Sequence, residues 1–132
     1  MRPLIIISFV AVLSPMGCSD SKLPRLSVDF TWLNDQRCYD ERSPEIVIEN
    51  VPGNTKRLEI DMLELDSRHE HGGGSFPYNG TNLIPEGALD QYRGPCPSYG
   101  VPRYELTVKA VDEGGKVVAL GKKMRKWPPE VE

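Results

Sequence analysis

The stretch Arg103 to Leu120, RYELTVKAVDEGGKVVAL, decides the fold. Tyr104, Leu106, Val108 and Ala110 alternate with Glu105, Thr107 and Lys109. That is the period-two pattern of a strand with one face buried and the other in water. Asp112-Glu113-Gly114-Gly115 supplies turn chemistry and returns the chain into Val117–Leu120. Working outward, Leu26, Val28, Phe30 and Trp32 repeat the alternation, and Pro44 precedes the short apolar run Ile46-Val47-Ile48. Leu58, Ile60 and Met62 alternate with Glu59 and Asp61 until the phase slips at Leu63 and Leu65, which predicts a bulge near Met62-Leu63. His69 to Ser75, HEHGGGS, is expected to be irregular, because consecutive glycines carry the largest backbone entropy. Asn79-Gly80 predicts a hairpin turn between Phe76-Pro77-Tyr78 and Leu83-Ile84. The basic run Lys122–Lys126 reads as a solvated face. About six short strands joined by glycine and proline turns predict a mainly β chain, a compact antiparallel β-sandwich with little helix.

A chain of 132 residues is most simply one domain, and its twelve glycines and twelve prolines favour strands and turns over long helices. A net charge of −3 offers no basic footprint, which excludes nucleic acid as the expected partner. At the start, Arg2 precedes the apolar run Leu4–Leu13, too short to span a bilayer as a helix but suited to a secretory leader. Ser14-Pro15-Met16-Gly17-Cys18 then resembles the lipobox of bacterial lipoproteins, with Pro15 where leucine is usual. The resemblance implies a signal peptide over residues 1–17 and acylation of Cys18. A polar tether over residues 18–25 and a domain over 26–132 would follow, held on the periplasmic side of the bacterial cell envelope or at its outer membrane. Export permits a disulfide between the two remaining cysteines, Cys38 and Cys96, with two buried thiols as the alternative. Such a bridge would stabilise a small domain by ~4 kcal/mol in the chain-entropy view.

Two stretches raise the question of chemistry. Tyr92–Tyr104, YRGPCPSYGVPRY, is stiffened by Pro95, Pro97 and Pro102, and a stiff loop feeding a strand is a place to hold a ligand or to contact a protein. The only histidines are His69 and His71. A metal site would need a third ligand, with Glu64 or Asp66 as candidates, and the spacing matches no known signature. His71-Gly72-Gly73-Gly74 matches the oxyanion-hole motif of esterases, but the chain has no G-x-S-x-G nucleophile elbow to give it meaning. A third reading is a pocket in which glycines bring backbone N–H groups, and a histidine brings charge, to a small anion without doing chemistry.

The order of short motifs adds a family resemblance. Ser43-Pro44-Glu45-Ile46, Val51-Pro52-Gly53-Asn54-Thr55, Glu64-Leu65-Asp66, His71, Ile84-Pro85, Tyr92-Arg93-Gly94-Pro95-Cys96-Pro97 and Arg103-Tyr104 resemble the phosphatidylethanolamine-binding (Raf-kinase-inhibitor-like) family. The resemblance implies an antiparallel β-sandwich with an anion pocket at one end. It matches Glu64 and Asp66 to the pocket acids, His71 to a pocket histidine, Gly94 and Pro95 to a pocket wall, and Tyr104 to a pocket tyrosine. Three places depart from the family pattern: Glu64 and Leu65 replace an aspartate and a proline, Pro102 replaces a second histidine, and Gly72 replaces a tryptophan. The implied role is a non-catalytic binding module with no cofactor. Its ligand would be a small anion or a phospholipid head group, and its membrane contact would come through the lipid anchor. Binding of another envelope protein, such as a peptidase to be inhibited, is the alternative. Within the pocket, Glu64 is expected to orient His71 and raise its pKa, since a carboxylate favours the imidazolium.

Overall fold

A computed structural model describes residues 22–129. The expected leader and Cys18 lie outside the described residues. The described chain forms seven strands and no helix: β1 (Ser27–Phe30), β2 (Ile46–Glu49), β3 (Thr55–Glu64), β4 (Glu70–Pro77), β5 (Leu83–Ile84), β6 (Arg103–Asp112) and β7 (Val117–Lys126). They make two antiparallel sheets, one in the order β1-β2-β5 and one in the order β4-β3-β6-β7. The mainly β sandwich expected from the alternating pattern is the fold observed. Val28 and Phe30 of β1, Ile46 and Ile48 of β2, and Ile84 of β5 belong to the same core as Leu58, Ile60 and Met62 of β3 and Leu106, Val108 and Ala110 of β6. Each of these strands alternates because one face meets the core and the other meets water.

The chain docks earlier than the expected boundary at residue 26. Leu120 N–H donates to the Pro24 carbonyl at 3.1 Å, and Arg25 bridges Leu120 in parallel fashion. The end of the expected tether therefore completes the edge of β7.

Two local expectations are corrected and a third is met. From Glu70 onward HEHGGGS is a strand, because its glycines let a second backbone approach where any side chain would collide. Gly73 N–H donates to the Gln91 carbonyl at 3.2 Å, Gln91 N–H donates to the Gly73 carbonyl at 2.9 Å, and Arg93 N–H donates to the His71 carbonyl at 2.8 Å. A Cβ on Gly72, whose φ is +70°, would overlap the Gln91 carbonyl oxygen, and one on Gly73 would overlap the Ile60 carbonyl oxygen. The backbone entropy cost of glycine is real, but the ladders on both edges of β4 offset it.

The second correction concerns Asn79-Gly80, which closes no hairpin. β4 lies in the four-stranded sheet while β5 pairs with β2, so the turn carries the chain from one sheet to the other. The phase slip is where it was expected: a bulge lies at Met62-Leu63, with its extra residue on the partner strand. β3 keeps regular register with β6 through Met62↔Leu106, Leu63↔Glu105 and Glu64↔Tyr104. The shift at Met62/Leu63 arises on β4, where Met62 pairs Gly72 and Leu63 pairs Glu70, leaving His71 as the extra residue. Leu63 and Leu65 are half-buried.

Gly73→Ala is expected to lower stability by about 3 kcal/mol, the cost of forcing a methyl group into a filled site. Gly53, whose added Cβ would meet nothing within 4 Å, is the control, and its alanine variant should stay within ~0.5 kcal/mol of the parent. Chemical denaturation of both variants checks the difference.

Candidate functional site

The inward row of β3 runs Leu58, Ile60, Met62, Glu64, and opposite it on β6 run Ala110, Val108, Leu106, Tyr104. The row turns polar at one end, and there the core opens into a cleft of about 930 Å³. The bulge on β4 delivers His71 to the same place, the usual work of a bulge beside a site. Glu64, Asp66, His71 and Tyr104 all border this cleft. Gly94 and Pro95 do not. Gly94 packs against Gln36 and Asp40, and Pro95 borders a separate hollow with Cys38 and Trp127. The cleft wall expected from them is formed instead by the residues that follow, Cys96 to Pro102, which include Pro97 of the family motif and Pro102 in the place of its second histidine. Tyr39, Ser67, Arg68 and His69 also line it. Tyr39 was within reach of the sequence, since it follows Cys38, the partner of a cysteine in the proline-rich loop.

His71 is 3% exposed, and its Nδ1 stands 2.9 Å from the Arg93 carbonyl oxygen. A carbonyl only accepts, so Nδ1 carries the proton, and in the neutral ring Nε2 is an acceptor. Nε2 is buried and has no hydrogen-bond partner. The ring meets Tyr104 edge-on at 5.2 Å between centroids and His69 at 4.9 Å. Burial lowers the His71 pKa below its ordinary 6.5, and His69 lowers it further; the Arg93 carbonyl and Glu64 pull the other way without prevailing. The expected elevation by Glu64 is thus corrected: loss of water around the ring outweighs the carboxylate. Glu64 is itself engaged by Ser67, whose hydroxyl donates to Oε2 at 2.6 Å. Burial also pushes the Tyr104 hydroxyl up to about 12, so it remains a protonated donor at neutral pH.

Asp66 belongs to the frame of the cleft. It accepts the Arg103 backbone N–H at 2.7 Å and the Arg103 guanidinium at 2.9 Å, and the guanidinium holds its carboxyl below the usual range. Cys38 and Cys96 are joined by a disulfide with Cα atoms 4.6 Å apart. Behind it, the buried Asp40 carboxylate accepts from Arg42 Nη2 at 2.9 Å and from the Arg37 N–H at 3.2 Å. Among the described residues no three His, Cys, Asp or Glu side chains stand close enough to hold a metal ion.

No protein-family model matches the sequence. No curated protein matches it either. Solved structures do match. A phosphatidylethanolamine-binding protein (PEBP) homologue from Chlamydia trachomatis superimposes with a TM-score of 0.58 at 14% identity, over 80% of this chain and 99% of its own. E. coli YbcL, a member of the mammalian PEBP family, superimposes with a TM-score of 0.55 at 12% identity, over 82% of this chain and 98% of its own. The fold is PEBP-like.

The burial of His71 has a consequence for stability. Its folded pKa lies below the unfolded value, so the unfolded chain takes up the proton first as pH falls. Stability is full above the unfolded pKa and is lost as pH drops through the folded value. NMR titration of the ring is expected to give a midpoint below 6.5. The urea midpoint should fall on acidification through that window, with a shallower fall in His71→Gln.

Proposed function

We propose that the chain is a non-catalytic binding module of the bacterial cell envelope, anchored by lipid at Cys18, whose cleft takes a small anion of the phosphate or phospholipid head-group kind at His71. One observation carries the reading: His71, whose buried Nε2 has no partner, lines an open cleft. A buried polar atom left unpaired costs about 1–3 kcal/mol, and a ligand that pairs with it recovers part of that cost. The likeness in fold to the two PEBP structures supports the same class of ligand. The non-catalytic reading is supported by the glycines of the His-Gly-Gly-Gly run. The Gly73 N–H is spent on the Gln91 carbonyl and is not free to act as an oxyanion donor.

The tautomer defines how an anion would bind. With Nδ1–H committed to Arg93, Nε2 either accepts a proton from an acidic phosphate oxygen or takes one from water and donates it to an anionic oxygen. In both cases a single proton lies between Nε2 and the ligand. Binding of the phosphate dianion therefore takes up one proton, which the monoanion already carries, and the anion raises the His71 pKa that burial lowers. Calorimetry with inorganic phosphate should show affinity rising as pH falls from about 9 to about 7, by up to ~10-fold per pH unit, the limit for one linked proton, and levelling where free phosphate is already the monoanion. His71→Ala should abolish that binding. Affinity independent of pH, or unchanged in His71→Ala, contradicts the proposal.

A further inference from the structure

The segment Pro95–Val101 supplies part of the cleft wall and runs between two fixed ends. At its start, Gly94 N–H donates to the Asp40 carbonyl at 2.8 Å. At its end, Trp127 N–H donates to the Pro102 carbonyl at 3.1 Å, Leu65 N–H donates to the Arg103 carbonyl at 2.8 Å, and Arg103 is clamped to Asp66. Between these ends, no residue from Pro95 to Val101 makes a hydrogen bond or an ion pair among the described residues. One cross-link fastens it, the Cys38–Cys96 disulfide. Packing at its tip adds little, because Tyr99 is 90% exposed and Val101 48%. Below it lies a hollow of about 300 Å³ bordered by Cys38, Pro97 and Trp127. Cys38 is exposed and Cys96 half-buried, so the bond can be reached by a thiolate.

We propose that Pro95–Val101 is a strap whose seat on the cleft is set by the oxidation state of Cys38 and Cys96, so that ligand affinity is coupled to redox state. This rests on the reading of the cleft as a ligand site. The reductant is a dithiol. One of its thiolates attacks a disulfide sulfur, the Sγ–Sγ bond breaks, and a mixed disulfide forms. The second thiol of the reductant then displaces the remaining cysteine. The protein gains two electrons and two protons as Cys38 and Cys96 become thiols, and the reductant leaves as its own disulfide. Reduction frees the strap and leaves its ends in place, because the hydrogen bonds of Gly94, Pro102 and Arg103 do not involve sulfur. Tyr39, next to Cys38, held at φ 51° and lining the same cleft, loses the same brace.

The test compares the oxidised protein, the folded protein after dithiothreitol treatment, and the Cys38→Ser/Cys96→Ser double variant; treatment of already folded protein covers the case in which the variant does not fold. Chymotrypsin should cut after Tyr99 selectively in the reduced form, and acrylamide should quench tryptophan more strongly as Trp127 loses cover. Phosphate affinity should fall by at least ~5-fold, the lower end of ordinary coupling between sites. Resistance to cleavage after reduction overturns the strap. So does cleavage spread through the strands, which would mean that the bond holds the whole domain. A loosened strap with unchanged phosphate affinity overturns the coupling. If phosphate binds neither form, the anion reading fails, and the strap is judged by cleavage and by the His71 ring resonances, which must shift on reduction for it to stand.

Discussion

Two backbones pressed together at Gly72–Gly74 are the constraint on which the site depends. β4 is bonded on one edge to β3 and on the other to the segment around Gln91, and no side chain fits between them. The double pairing holds the strand that carries His71. The extra residue in β4 then places the imidazole at the end of the core, where the Arg93 carbonyl fixes its tautomer. A run that reads as a flexible or catalytic glycine loop is therefore a rigid support. Its glycines act by what they omit.

The alternating strands were legible in the sequence because their burial is one-sided. Leu58, Ile60 and Met62, or Leu106, Val108 and Ala110, state the period and the face at once. The HEHGGGS strand was not, since glycine has no side chain to show a period, and its pairing partner lies near Gln91, far along the chain. Asn79-Gly80 announced a turn but not which strands it joins, because the hairpin pattern is local and the exchange between sheets is not. In the site, Glu64, Asp66, His71 and Tyr104 were found at the cleft, whereas Gly94 and Pro95 sit behind its wall. The protonation of His71 could not be read from Glu64 alone. It follows from how completely the ring is buried, which sequence does not display.

The electrostatics of the cleft follow from the same geometry. Asp66 and Arg103 satisfy each other, and Ser67 occupies Glu64, while among the described residues of the cleft lining His71 Nε2 is the buried polar atom without a partner. A neutral imidazole at that position offers Nε2 as an acceptor at neutral pH and as a donor only after it takes up a proton. The proline-rich segment Pro95–Val101 is covalently fastened by the Cys38–Cys96 disulfide rather than hydrogen-bonded among the described residues. The rigid and the adjustable parts of the cleft thus have different physical origins, backbone pairing on the side of β4 and a single sulfur bridge on the side of the proline-rich segment.

The most direct measurement of the central claim is a crystal structure of the protein soaked with inorganic phosphate at about pH 5.5. The account predicts a phosphate oxygen within ~2.6–3.2 Å of His71 Nε2, the reach of a hydrogen bond, with Nδ1 still on the Arg93 carbonyl. Phosphate bound elsewhere, or Nε2 paired with a protein group in the presence of phosphate, would contradict it.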